Sequence, residues 1–61
     1  MEFIKKYRGY SICYMTISHV KQKTIMVVID DSFNLLFIAP TDKDQFHQVR
    51  ECEEFIERKI N

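Results

Sequence analysis

The 61-residue sequence has one glycine, one proline, two cysteines and no tryptophan. A single glycine excludes a glycine-rich phosphate loop, and two cysteines are too few for the disulfide framework of a small secreted scaffold. The scarcity of glycine and proline, with 46% hydrophobic residues, argues against disorder. No apolar run approaches the roughly 18 residues of a membrane-spanning helix, and residues 1–6 show no long apolar signal segment. We therefore expect a soluble, cytoplasmic protein that does not enter a membrane.

Charge of neither sign is in excess, since nine Lys and Arg balance nine Asp and Glu. The balance hides an asymmetry along the chain. Residues 1–23 carry five basic side chains against one acidic, whereas residues 24–61 carry four basic against eight acidic. Such segregation can steer a charged partner but is weak evidence for nucleic-acid binding. The length allows one domain, residues 1–61, of marginal stability on its own.

Three segments predict β-strands. Residues 10–20, 24–29 and 33–39 are rich in β-branched and aromatic side chains. A turn near Gln22 and the turn-forming residues 30–32 separate them, which predicts an antiparallel three-stranded meander. Gly9 marks a bend or bulge before the first strand. Whether residues 3–7, with their adjacent lysines, add to that strand stays open.

One C-terminal helix is predicted over residues 42–60. Pro40 ends the third strand, and the Thr41 hydroxyl is positioned to cap the helix. At 100° per residue, five apolar side chains fall on one stripe that we expect to pack across one face of the sheet. The fold class is therefore α+β, β-β-β-α. The stripe consists of Phe46, Val49, Cys52, Ile56 and Ile60.

The strands are apolar on both faces, although a single helix covers only one. In residues 25–29 and 33–38 apolar side chains fill both alternating sets, so a solvated second face is not expected. Self-association as a homodimer through the sheet resolves this conflict, and a different protein partner comes next. The face that the helix covers depends on register and stays open. The candidate interface residues are Met26, Val28, Tyr14 and Phe55, the last of which either wraps a sheet edge or serves a partner.

Catalytic and metal chemistry lacks a recognisable pattern. Cys13, Cys52, His19, His47 and the pair at residues 30–31 form no metal-ligand spacing and no nucleophile motif. Both cysteines occupy apolar positions, where a thiolate is disfavoured. The sequence predicts neither an enzyme nor a cofactor.

A non-enzymatic protein–protein interaction or regulatory module that self-associates through its sheet is the favoured function. The alternative is a small nucleic-acid-binding protein, in which bases stack on tyrosines among phosphate-binding charges of the basic N-terminal third. The residues that would carry this alternative are Lys5, Lys6, Tyr7, Arg8, Tyr10, Tyr14, Lys21 and Lys23.

Overall fold

The computed structural model describes residues 1–18 and 23–61, which form an antiparallel sheet followed by one helix. The strand order in the sheet is β1-β2-β3-β4, so each strand pairs with its neighbour in sequence. The α+β class is confirmed, but the sheet has four strands where three were predicted. The turn predicted near Gln22 lies outside the described residues, as do His19 and Lys21. The elements are β1 (Glu2–Tyr7), β2 (Tyr10–Ser18), β3 (Lys23–Ile29), β4 (Leu35–Ile38) and α1 (Gln45–Ile60).

The additional strand, β1, is an edge strand that folds back on β2. Arg8 and Gly9 have φ angles of 49° and 90°. Positive φ at both central residues is the requirement of a two-residue type I′ hairpin turn. Gly9 therefore marks a tight hairpin, and residues 2–7 form a separate strand where the sequence left only an extension of the next one.

The loop between β3 and β4 is longer than the turn at residues 30–32. The Asp30 carboxylate accepts hydrogen bonds from the backbone amides of Ser32 and Asn34, both at 2.9 Å, and from Asn34 Nδ2 at 3.0 Å. These bonds hold residues 30–34 as a compact loop. Phe33 consequently belongs to the loop, and β4 begins at Leu35 instead of the predicted residue 33.

Helix α1 begins three residues later than predicted because Asp44, and not Thr41, is its N-cap. The Asp44 carboxylate accepts a hydrogen bond from the His47 amide at 2.9 Å, which satisfies one of the free N–H groups of the first turn. The predicted end at Ile60 is confirmed, and Arg58 and Lys59 lie in the last turn, where the helix dipole favours positive charge. Among the described residues no helix has the length and apolarity needed to cross a membrane.

Two apolar clusters lie on opposite faces of the sheet. The first joins Cys52 and Ile56 of α1 to the strands, which confirms the centre of the predicted stripe. Phe46 and Ile60, however, are 67% and 40% exposed. Phe46 lies about 80–120° around the helix from the two buried residues, and Ile60 is the last helical residue, so neither points squarely at the sheet. The first cluster comprises Ile12, Met26, Val28, Ala39, Cys52 and Ile56, and the second Cys13, Ile25, Val27 and Ile29.

Candidate interaction surface

The face of the sheet opposite the helix, called the open face below, is defined by strand register. Directly paired residues of antiparallel strands share a face, and the pairs Cys13–Val27 and Met15–Ile25 belong to the cluster that contains no helical residue. Phe3 pairs with Cys13, and Ile38 pairs with Val27, which extends this face over all four strands. The open face consists of Phe3, Lys6, Ser11, Cys13, Met15, Ile25, Val27, Ile29, Leu35 and Ile38.

The outer strands of the open face expose large apolar side chains. Phe3 on β1 is 59% exposed, and Leu35 and Ile38 on β4 are each 48% exposed. Between them Cys13, Ile25, Val27 and Ile29 are at most 5% exposed, although no described element packs over them. The polar members, Lys6 and Ser11, pair with each other at one end of the face. Chemically, the rest of this surface can offer only apolar contact.

The opposite face is closed by α1 and bordered on the β1 side by ion pairs. Lys5 Nζ lies 2.6 Å from Glu53 Oε2, and Arg8 Nη1 lies 2.9 Å from Glu57 Oε1. The Tyr7 hydroxyl donates to Glu57 Oε1 at 3.3 Å, and burial together with that carboxylate raises the pKa of Tyr7. These contacts fasten the edge strand β1 to the helix.

On the β4 side the helix is fastened by aromatic stacking. The rings of Phe37 and Phe55 stack with centroids 4.7 Å apart and an interplanar angle of 13°. Offset stacking of this kind stabilises a contact beyond its buried area. Phe55, which lies off the predicted apolar stripe, thus packs against the sheet edge while remaining partly exposed.

The candidate interface residues lie on the helix side and not on the open face. Met26 and Val28 are fully buried beneath α1, and Tyr14, which pairs with Met26, packs against the same cluster. Sequence alternation separates Met26 and Val28 from their neighbours but cannot say which set the helix covers. The register places Ile25, Val27 and Ile29 on the open face instead.

The candidate nucleic-acid residues that the structure describes do not form one surface. Lys5 and Arg8 contact carboxylates of α1, while Lys6 lies on the open face with its Nζ 3.6 Å from Asp31 Oδ1. Lys23 is exposed at the start of β3, and Lys21 lies outside the described residues. The three tyrosines pack against the helix-side cluster, where Tyr7 pairs with Tyr10 while Tyr14 lies farther along β2 and pairs with Met26.

The two cysteines lie on opposite faces of the sheet. Cys13 is in the open-face cluster and Cys52 lies beneath the helix, and both are free thiols. Burial raises the pKa of the Cys13 thiol and raises that of Cys52 to about 11.

Within residues 1–18 and 23–61 there is no group of three or more His, Cys, Asp or Glu side chains arranged to hold a metal ion.

Three open-face residues, Phe3, Leu35 and Ile38, were missed by sequence reasoning. Phe3 was missed because residues 3–7 were not predicted as a separate strand. Strict alternation places Leu35 and Ile38 on opposite faces, but Leu36, like Ile4 in β1, is an unpaired residue that interrupts the register and packs toward the helix side. One such extra residue reverses the alternation beyond it. The run of apolar residues in β4 was the available signal, but it does not reveal the bulge.

Comparisons with protein-family models, curated proteins and solved structures found no match to this chain.

Proposed function

We propose that the protein is a non-enzymatic interaction module that self-associates as a homodimer by packing its open face against that of a second copy. The observation that carries this proposal is the open face itself, eight of whose ten residues are apolar. Sheets pack face to face about 10 Å apart when their facing side chains are apolar. Two copies would thereby form a sandwich of two sheets with a helix on each outer side.

The energetic argument rests on the size of the chain. A domain near 60 residues buries only about 60% of its unfolded surface. Burying apolar surface contributes about 25 cal/mol per Å², so covering the exposed parts of Phe3, Leu35 and Ile38 stabilises the assembly. A second copy of the chain supplies a complementary apolar face, so no other protein is required.

Charge distribution supports the same surface. Lys6 is the charged member of the open face and lies at its end, where Asp31 is within 3.6 Å. Depletion of charge at the centre, with charged groups at the rim, is characteristic of protein interfaces. Nucleic-acid binding is the weaker proposal, because Lys5 and Arg8 already contact carboxylates that would repel phosphates.

Sedimentation equilibrium at micromolar concentration tests the proposal. We expect a dimeric mass for the unaltered chain and a monomeric mass for Leu35→Lys, whose circular dichroism spectrum should stay native because the side chain is half-exposed. Phe46→Lys is the matched control, since Phe46 is exposed on the helix and distant from the open face. This control should remain dimeric.

A monomeric mass for the unaltered chain, with little binding of a dye specific for apolar surface, would contradict the proposal. So would a dimer whose dissociation constant is unchanged by Leu35→Lys. A dimer disrupted by Phe46→Lys instead would place the contact on the helix side.

A further inference from the structure

The open face alone is small for a stable dimer. Its central side chains are at most 5% exposed, so its accessible apolar area comes mainly from Phe3, Leu35 and Ile38. Standard interfaces bury about 800 Å² of accessible surface per partner. A dimer through this face therefore needs apolar area from residues beside the sheet.

Phe33 is the largest such source at the end of β4. It is 75% exposed and lies two residues before Leu35 of the open face. Its φ angle of 63° is in the left-handed region, which is unfavourable for a bulky aromatic residue and ordinarily taken by glycine or asparagine. In the isolated chain Phe33 thus combines an unfavourable backbone conformation with an exposed ring.

The hydrogen bonds of the loop impose this conformation. Besides the three bonds accepted by the Asp30 carboxylate, the Phe33 amide donates to the Asp30 carbonyl oxygen at 3.1 Å, and the Asp30 amide donates to the Asn34 carbonyl oxygen at 3.2 Å. The bonds accepted from Asn34 and Ser32 also lower the pKa of Asp30, so its carboxylate stays ionised near neutral pH. The loop consequently holds the Phe33 backbone in place before any partner binds.

We propose that Phe33 is an anchor of the homodimer, whose ring packs on the second copy beyond the edge of its open face; this inference rests on the proposed self-association. Aromatic side chains dominate interface hot spots. Because the loop is already ordered, it loses little conformational entropy on association. More of the free energy gained by burying the Phe33 ring therefore contributes to affinity. The second copy is the occupant because Phe33 lies beside the open face, and the open face alone offers less accessible area than a stable dimer buries.

Phe33→Gly separates association from stability. It removes the ring and relieves the left-handed backbone, so the dissociation constant of the dimer should rise at least about tenfold. The melting temperature of the monomer, measured well below that constant, should rise by a few degrees. Phe33→Asn, which also tolerates the left-handed region, should weaken association similarly, and Phe33→Tyr should preserve it. Phe46→Ala is the control for an exposed phenylalanine elsewhere and should leave the dissociation constant unchanged.

The outcomes distinguish this inference from the proposed function. If the dimer is disrupted by Leu35→Lys but unaffected by Phe33→Gly and Phe33→Asn, the anchor is overturned and the open-face dimer stands. If the unaltered chain is monomeric throughout, both are overturned. If Phe33→Gly and Phe33→Asn weaken the dimer while Phe33→Tyr and Phe46→Ala do not, the anchor is supported.

Discussion

The two faces of the sheet are both apolar, but the helix covers only one of them. Directly paired residues such as Ile12 and Val28 lie on the helix side, and their immediate neighbours Cys13 and Val27 lie on the open face, all of them buried. The helix covers the first set, whereas no described element covers the second. The two faces are therefore alike in apolar character but differ in cover, since one lies beneath the helix and the other is the open face through which we propose that two copies associate.

The borders of the two faces differ as well. On the helix side the basic N-terminal residues Lys5 and Arg8 meet Glu53 and Glu57 of the acidic C-terminal half. The charge asymmetry of the sequence thus corresponds to contacts within the molecule. Such partly exposed pairs contribute only about 0–1 kcal/mol each, so they fix the position of β1 more than they stabilise the fold.

The largest expected effect comes from one negative charge placed in turn on each face. In Val28→Asp the carboxylate is buried between sheet and helix without a partner, which costs about 3–5 kcal/mol. A domain of this size has a total stability of only roughly 0.05–0.15 kcal/mol per residue, so we expect it to unfold. In Val27→Asp no helix lies over the new carboxylate, which reaches water once neighbouring open-face side chains move aside, so the chain should fold with a smaller loss of about 1–2 kcal/mol and be monomeric.

Circular dichroism with urea titration measures both variants. Val27 and Val28 are equally buried neighbours on one strand, so each serves as the control for the other. Equal destabilisation of the two would show that the open face is covered within the chain and would remove the contrast between the faces.

A smaller effect is expected in the reactivity of the two thiols. With a pKa near 11, Cys52 is only about one-thousandth thiolate at pH 8, and its alkylation requires the helix to separate from the sheet. In the monomer, at a concentration below that at which copies associate, Cys13 requires only displacement of open-face side chains. We expect native Cys52 to be alkylated at least roughly 100-fold more slowly than in urea, and Cys13 to react faster than Cys52.

Mass spectrometry of the alkylated peptides gives the two rates from one sample, with Cys13→Ser as the check on assignment. Faster labelling of Cys52 than of Cys13 would indicate that the helix side opens more readily than the open face, contrary to the comparison.

Periodicity predicted the helix well because its signals are local. Cys52 and Ile56 repeat at helical spacing, and Arg58 and Lys59 mark the last turn. The start of the helix was misplaced because Thr41 and Asp44 are both acceptable N-caps. The choice between them depends on the path of residues 39–44 from the end of β4 to the helix. A hydrogen bond from the Ala39 amide to the Met26 carbonyl oxygen, 2.9 Å long, fixes the start of that path, and the sequence does not reveal it.

The sheet was less predictable because its strand pairing and its bulges depend on contacts between residues that are distant in the sequence. β1 contains adjacent lysines, which are unusual in a strand until Lys5 is seen to contact Glu53, 48 residues away. The bulges at Ile4 and Leu36 change which side chains share a face without any proline or glycine to mark them. The apolar character of both faces was predictable, but the assignment of Met26 and Val28 to one of them was not.

A dilution series of methyl NMR spectra tests most directly whether the open face is where two copies meet. The chain offers matched probes, with Ile25, Val27 and Ile29 on the open face and Val28 and Ile56 beneath the helix. Dilution from high to low micromolar concentration should shift the open-face methyl signals as the dimer dissociates and leave the helix-side signals nearly unchanged. Signals that do not change with concentration on either face, or that shift beneath the helix alone, would contradict self-association through the open face.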